Sequence, residues 1–459
     1  MTFNKKVIYV LIAMLVLFCG LVLYFSYFQI FKSADLVNAG TNPRTYIKEQ
    51  SIKRGSIYDR NGETLAYSNF SDGTQTRVYP FNRLYSQLIG YSHPRFGRTL
   101  LEDSQNGFLL GGGVKAGVLD AVFGASQTAG ADITLTVDNK LQLLAADLLG
   151  NRNGAITAVN PNTGEVLAMV SKPWFNPNTL TENWEALNQT EGMFVPRATA
   201  GLYPPGSAFK VITAAAAAEN MLDGEVYEDT GSLMIDGQEI VNYNKKVYGE
   251  LDMDTAFAKS SNTYFAHIAD MLGAEKLKET AESFYFNKEI PFDIPLSEST
   301  LLKRKDRNNV AAVGYGQGDT LTTPLHMALI AATVANDGVM MQPYVVREAK
   351  TESNETVYSA TPKILTRSIS PAAAARVTEM MCACVSEGTG TGARISGITV
   401  AGKTGTAEVG GNKADHAWFI AFAPAQNPQI AVSVVLENEG TTGATCAGLA
   451  GNLIRAFLQ

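Results

Sequence analysis

Cysteine and histidine are scarce in this chain, with four of each in 459 residues. Cys19 lies in an apolar N-terminal run, Cys382 and Cys384 stand close together, Cys446 is alone, and no C-x-x-C pair occurs. His93, His267, His326 and His416 are scattered. A structural zinc site needs such ligands clustered, so no metal is expected. A Cys384–Cys446 or Cys382–Cys446 bridge stays open. A basic surplus is also missing: 37 Lys and Arg face 44 Asp and Glu, for a net charge of −7. That balance argues against nucleic acid as the main partner, because nothing offsets its phosphates. Lys303–Arg307 is the one basic block, and Asp306 interrupts it, as suits a solvated helix end or loop. Gly314-Tyr315-Gly316-Gln317-Gly318 suggests a nucleotide loop, but no Lys-Ser/Thr follows and no βαβ pattern surrounds it.

What is present is a globular composition, 46% hydrophobic and 18% charged, long enough for two or more domains with a sizeable core. Behind Lys5 and Lys6, the chain runs from Val7 to Phe31 without a charge. About 20 apolar residues span a bilayer, and lysines in front favour a cytoplasmic N-terminus. Residues 1–6 are therefore expected as a cytoplasmic tail, 7–31 as an uncleaved transmembrane signal anchor, and the remainder outside the cell. Tyr24, Tyr27 and Phe28 suit an interfacial aromatic belt. A cleaved signal peptide fits less well, since the run is too long and no good A-x-A site follows.

Residues 32–140 turn polar and turn-rich, as in a spacer or docking module. Arg54-Gly55-Ser56-Ile57-Tyr58-Asp59-Arg60-Asn61-Gly62 reads as a strand entering an Asn-Gly turn. Arg54, Asp59 and Arg60 are either a charge network tying this module to its neighbour or exposed hairpin charges. Gly111-Gly112-Gly113 marks a loop. Residues 141–459 read as a second domain, opening with helix Leu141–Leu149 and a hairpin over Gly154–Val170.

Within that domain, Pro204-Pro205-Gly206 precedes a helical pattern with five consecutive alanines, Ala214–Ala218. Ser207 and Lys210 open it on one face, three residues apart. Free N–H groups at a helix start favour a serine alkoxide over an ammonium, and a dry site lowers a lysine pKa further. Lys210 then reads as a neutral base beside a hydroxyl nucleophile. S-x-x-K is also expected about once or twice by chance in such a chain, as a plain solvated pair. Ser260 and Asn262 suit a loop-to-helix corner within Asp254–Leu272, or a simple cap. Thr399–Ala407 begins as a strand with Lys403 among small residues, open to a substrate backbone lying alongside. Lys403, Thr404 and Thr406 are placed there to hold a carboxylate, and Lys403 to tune Lys210. His416–Pro424 and Gln429–Leu436 read as strands, Thr445–Leu458 as a final helix, and His416 as a packing residue.

In order and spacing, Ser207/Lys210, Ser260/Asn262 and Lys403-Thr404-Gly405 resemble the motif trio of penicillin-recognising serine acyltransferases. With the anchor and the RG-x-I-x-DRNG stretch, the chain is similar to class B penicillin-binding proteins of the short, penicillin-binding protein A type. Asn42-Pro43-Arg44, Arg77-Val78-Tyr79-Pro80, Asp138 with Leu141-Gln142, Gly316-Gln317-Gly318 and His416-Ala417-Trp418-Phe419 also look like family segments. One departure shows: Leu100 precedes Leu101-Glu102 where such proteins usually carry glycine.

The resemblance implies an α/β (α+β) fold of the β-lactamase/transpeptidase kind: a five-stranded antiparallel sheet flanked by helices, plus an all-helical subdomain. It implies Ser207 as acylated nucleophile, Lys210 as its base, and Ser260 as proton relay. Asn262 would bond the substrate amide, Lys403 supply positive potential, and Thr404, Gly405 and Thr406 recognise the donor. The N–H groups of Ser207 and Thr406 would form the oxyanion hole. The reaction implied is D,D-transpeptidation of peptidoglycan stem peptides at D-Ala–D-Ala, without cofactor and trapped by β-lactams. The implied partners are the cytoplasmic membrane and a polytopic glycan polymerase. A membrane-anchored β-lactamase, a β-lactam sensor and a non-catalytic wall-synthesis scaffold are the alternatives.

Overall fold

The computed structural model describes residues 5–31, 52–71, 74–111, 129–410 and 413–459. Asn42-Pro43-Arg44 and Gly112-Gly113 lie outside the described residues. Helix α1, Lys5–Phe31, contains an apolar window, Ile8–Phe25, long enough to cross a membrane. Leu17 and Leu23 on it are about 70% exposed, and an apolar surface of that extent marks a lipid or protein contact.

The Asn-Gly turn forms as the sequence suggests. Strand Ile57–Tyr58 pairs antiparallel with Thr64–Ser71, and Gly62 closes the turn at φ 87°. The Asp59 carboxylate accepts the Asn61 and Glu63 N–H groups, both at 2.8 Å. Its other oxygen accepts the Asn139 N–H at 3.0 Å, the first residue of helix α2, Asn139–Leu149. Arg60 reaches Glu165 at 3.2 Å. Asp59 and Arg60 thus tie this segment to α2 and to the hairpin beyond it, but Arg54 does not. Arg54 is buried and pairs with the buried Glu102 at 2.7 Å, as Arg77 does from the other side. A charge taken out of water must find its counter-charge close by, so Arg54 stays within its own module. Leu100, just before this cluster, has φ 52°, in the left-handed region that favours glycine.

These N-terminal strands belong to a six-stranded sheet that also recruits Asp132–Leu135, Val346–Lys350 and Thr356–Ser359. The other large sheet is the scaffold of the site. Its strands are β1 (Gly154–Val159), β2 (Val166–Lys172), β3 (Ala401–Ala407), β4 (His416–Ala423) and β5 (Ile430–Leu436). Their order is β3-β4-β5-β1-β2, antiparallel throughout. Every residue of β1, β2, β4 and β5 is buried. Burial on both faces explains why they read as continuous apolar runs without alternation.

Helix α3 (Lys210–Glu219) is buried from Lys210 to Ala217. Its alanines let α5 (Asn262–Ser283) and α7 (Pro371–Ser386) approach closely. Short α4 (Met253–Lys259) precedes α5, while α6 (Pro324–Ala335) and the final α8 (Gly443–Leu458) pack on the five-stranded sheet. The helical side is not purely helical. Two antiparallel pairs lie there, Tyr227–Asp229 with Gly249–Leu251 and Ser232–Ile235 with Gln238–Val241. All four cysteines are free thiols, so neither bridge to Cys446 forms. His416 is a packing residue: its Nδ1 accepts the Asn438 N–H at 3.0 Å and its ring meets Tyr203 edge-on.

Candidate active site

Three segments from distant parts of the chain converge at the mouth of α3. Gly206–Phe209 is a single 3₁₀ turn, and the α-helix begins only at Lys210. The sequence suggested one α-helix from Ser207. Tertiary contacts set the tighter turn: the Gly206 N–H donates to Gly316 O at 2.9 Å, and Trp418 Nε1–H donates to Pro204 O at 3.0 Å. Gly206 sits at φ 53°, and a Cβ there would lie 2.3 Å from Thr406 O. Gly405 serves the same packing from β3, since its Cβ would lie 2.7 Å from Pro205 O. Two glycines thus let the serine turn lie directly on the strand. Ser207 lies in the 3₁₀ turn and Lys210 opens the α-helix, three residues on, a spacing that sets both on one side of the junction. Ser207 is half-buried, whereas Lys210 is fully buried.

The second segment is the corner between α4 and α5. Ser260 ends α4 in the left-handed conformation, φ 62° and ψ 41°, and Ser261 caps α5 by accepting the Tyr264 N–H. A left-handed serine costs roughly 1–2 kcal/mol, and such strain persists only where surrounding contacts impose it. This corner aims both Ser260 and Asn262 at Lys210. The Lys210 Nζ donates to Ser260 O at 2.8 Å, to Ser260 Oγ at 3.2 Å and to Asn262 Oδ1 at 2.9 Å.

The third segment is β3, the edge strand of the five-stranded sheet. Lys403, fully buried, donates from Nζ to Ser260 Oγ at 2.9 Å and to Thr404 O at 3.2 Å. Thr404 hydrogen-bonds Thr389 through the two hydroxyls. Among the described residues, no strand pairs with the outer edge of β3, which leaves backbone groups for an extended ligand.

Two lysines therefore meet at one serine hydroxyl inside the protein. Burial holds Lys210 well below the usual lysine value, and the charge of Lys403 pushes it the same way. Burial also lowers Lys403. Both shifts favour the uncharged amine beside hydroxyls, the direction that general-base chemistry requires. Of the expected residues, Lys210, Ser260, Asn262 and Lys403 form one hydrogen-bonded cluster. The turn that carries Ser207 packs on Gly405 and Thr406 of β3, and among the described residues Lys210 Nζ hydrogen-bonds Ser260 and Asn262 and not the Ser207 hydroxyl. Thr389, which meets Thr404, comes from a segment without any recognisable spacing in the sequence.

Residues 154–458 match the family described as the penicillin binding protein transpeptidase domain. Residues 54–133 match the penicillin binding protein A dimerisation domain. The peptidoglycan D,D-transpeptidase PbpA of Mycolicibacterium smegmatis is 33% identical over 489 residues, covering 99% of this chain and 99% of its own. The D,D-transpeptidase domain of a peptidoglycan glycosyltransferase from Eggerthella lenta superposes with a TM-score of 0.81 at 36% identity, over 89% of this chain and 98% of that one. Penicillin-binding protein A of Mycobacterium tuberculosis, as its ceftriaxone acyl-enzyme complex, gives 0.84 at 32% identity, over 90% and 100%. With sequence and fold alike from the N-terminal module to the last helix, this chain belongs to the penicillin-binding protein transpeptidases.

Proposed function

We propose that this protein is a serine D,D-transpeptidase that cross-links peptidoglycan stem peptides and is acylated by β-lactams. The observation that carries the reading is the convergence of two buried, pKa-depressed lysines on the Ser260 hydroxyl, next to the Ser207 turn. Neutral Lys210 takes the proton of Ser207 as its oxygen attacks the carbonyl carbon of a terminal D-Ala–D-Ala bond. The N–H groups of Ser207 and Thr406 receive the developing oxyanion, where each well-placed donor contributes about 3–4 kcal/mol. Ser260, between the two amines, passes a proton to the departing D-alanine, while Asn262 bonds the donor amide. Lys403, Thr404, Gly405 and Thr406 hold the donor along the edge of β3. The acyl group then leaves Ser207 for the amine of a second stem, and the cross-link forms. A β-lactam follows the first half and stops, because its leaving amine stays tethered.

Residues 7–31 are proposed to anchor the chain in the cytoplasmic membrane, with residues 1–6 cytoplasmic and the catalytic part outside. Residues 32–140 would serve as the docking module and 141–459 as the transpeptidase domain. Glycan-strand polymerisation is assigned to a separate polytopic membrane partner. A fluorescent penicillin should label the wild type and leave Ser207→Ala unlabelled; equal labelling of both would remove the assignment. Continuous nitrocefin turnover by the wild type would point instead to a β-lactamase. Rescue of a deletion phenotype by Ser207→Ala would point to a scaffold.

A further inference from the structure

Behind the Ser260–Asn262 corner lies a buried polar cluster that none of the three motifs includes. Asp229 is fully buried and Asn242 is 2% exposed. Asp229 Oδ1 accepts from the Gly231 N–H and from Asn242 Nδ2, both at 2.8 Å. Its Oδ2 accepts from Asn242 Nδ2 at 2.8 Å and from the Ser261 hydroxyl at 2.7 Å. These donors are all neutral, which is unusual for a carboxylate out of water. What offsets the charge is the start of α5, whose partial positive end lies at Ser261 and Asn262.

Asn242 completes the connection. Its Oδ1 accepts the Asn262 N–H at 2.7 Å and the Thr263 N–H at 3.2 Å, the first two residues of α5. Its Nδ2 reaches Lys246 O at 2.9 Å as well. The preceding residue, Val241, accepts from Asn262 Nδ2 at 3.1 Å, which leaves Asn262 Oδ1 aimed at Lys210. The Asn262 amide is thus fixed in one orientation, and Ser260, one residue before the cap, is held in its left-handed state.

We infer that Asp229 and Asn242 are positioning residues for acyl transfer. They lock the α4–α5 corner so that the Ser260 hydroxyl stays between Lys210 and Lys403. The inference rests on the roles proposed above for Ser260 and Asn262. A purely structural part in folding would instead reduce the number of competent molecules and leave the rate of each one unchanged.

The experiment uses the full chain carrying Asp229→Asn, Asn242→Asp or both together, with a fluorescent penicillin at graded concentrations. It reads the limiting acylation rate, the half-saturating concentration, and the labelled fraction at endpoint. Each single change should slow the limiting rate at least tenfold, with less than threefold change in half-saturation and close to one label per chain. The double change again sets one carboxylate against one amide, and most of the rate should return. Limiting rates within twofold of wild type, a deficit accounted for by unlabelled molecules, or no recovery in the double variant would overturn the inference. If the single variants do not fold, Ser261→Ala, which removes one donor from Asp229, is read by the same rate criterion. Ser207→Ala run alongside separates the two readings. Labelling of that variant defeats the nucleophile assignment, whereas normal rates in the Asp229 and Asn242 variants defeat only the lock.

Discussion

Lys403→Met is the substitution with the sharpest consequences. It removes the Nζ donor 2.9 Å from Ser260 Oγ and leaves that hydroxyl to Lys210 alone of the two amines. Loss of one preorganised donor costs about 3–4 kcal/mol, so acylation should slow by roughly 10²–10³-fold. A second effect comes from the geometry. Both amines reach the same oxygen, so they lie within roughly 6 Å of each other, and two unit charges at that distance repel by about 3 kcal/mol at an effective dielectric near 20. Burial is the larger cause of the lowered Lys210 value and persists in the variant, but the Lys403 contribution disappears. Lys210 should therefore keep its proton to higher pH, and the rising limb of the acylation rate against pH should move upward. The rate deficit is then greatest on the acid side of that limb and shrinks on its alkaline side. Stability responds in the opposite sense. Burial sets Lys403 below 10.5 in the folded protein, so between its folded value and 10.5 the unfolded chain binds the additional proton and wild-type stability rises with pH. The methionine variant lacks that dependence and should melt no lower than wild type at neutral pH, with the difference narrowing towards pH 10.5. Stopped-flow acylation across pH, paired with thermal melts, measures both. A limb that stays in place or moves down would refute the electrostatic coupling of the two lysines.

Glu102→Gln leaves Arg54 and Arg77 buried without a counter-charge and should cost about 3–5 kcal/mol, read by urea unfolding. Burial pushes the Glu102 carboxyl up, but the two guanidiniums outweigh it and hold the value below 4.5. Its contribution to stability is therefore complete at neutral pH and lost as pH falls below that range, so the wild type and Glu102→Gln should converge in acid. Gly206→Ala puts a Cβ 2.3 Å from Thr406 O at φ 53°, displacing the Ser207 turn from β3. Acylation should fall by about 10²-fold, the scale of a 1 Å misplacement, and the strained Cβ should lower the melting temperature as well. Arg60→Ala removes a partly exposed ion pair with Glu165 and should change stability by less than about 1 kcal/mol, a useful contrast to Glu102.

Much of the site was legible because its chemistry is written in short spacings. Ser207 with Lys210 and Ser260 with Asn262 each lie within one turn of backbone, and Lys403 announces itself among small residues on a strand. The strands His416–Ala423 and Ile430–Leu436 and the hairpin from Gly154 were legible from apolar runs ended by turn residues. The 3₁₀ geometry of the serine turn was not, because Gly316, Trp418 and Thr406 impose it from far along the chain. Arg54 was grouped with Asp59 and Arg60 because they are near neighbours in sequence, yet its partner is Glu102. Asp229 and Asn242 have no spacing signature, since their meaning depends on a fold that sets them beneath Ser261. Leu100 is the converse case: its glycine-like backbone at φ 52° matches the one position where the family pattern was seen to lapse.

The six-stranded sheet has a practical consequence for anyone wishing to shorten this protein. Val346–Lys350 and Thr356–Ser359 reach the rest of that sheet through Asp132–Leu135, which in turn pairs with Ile57–Tyr58. A chain begun after residue 140 would retain the penicillin-binding machinery but strip the partner from Val346–Lys350, exposing a raw edge that invites self-association. A soluble fragment for drug-binding work should therefore start ahead of residue 52, trading only the apolar helix for solubility.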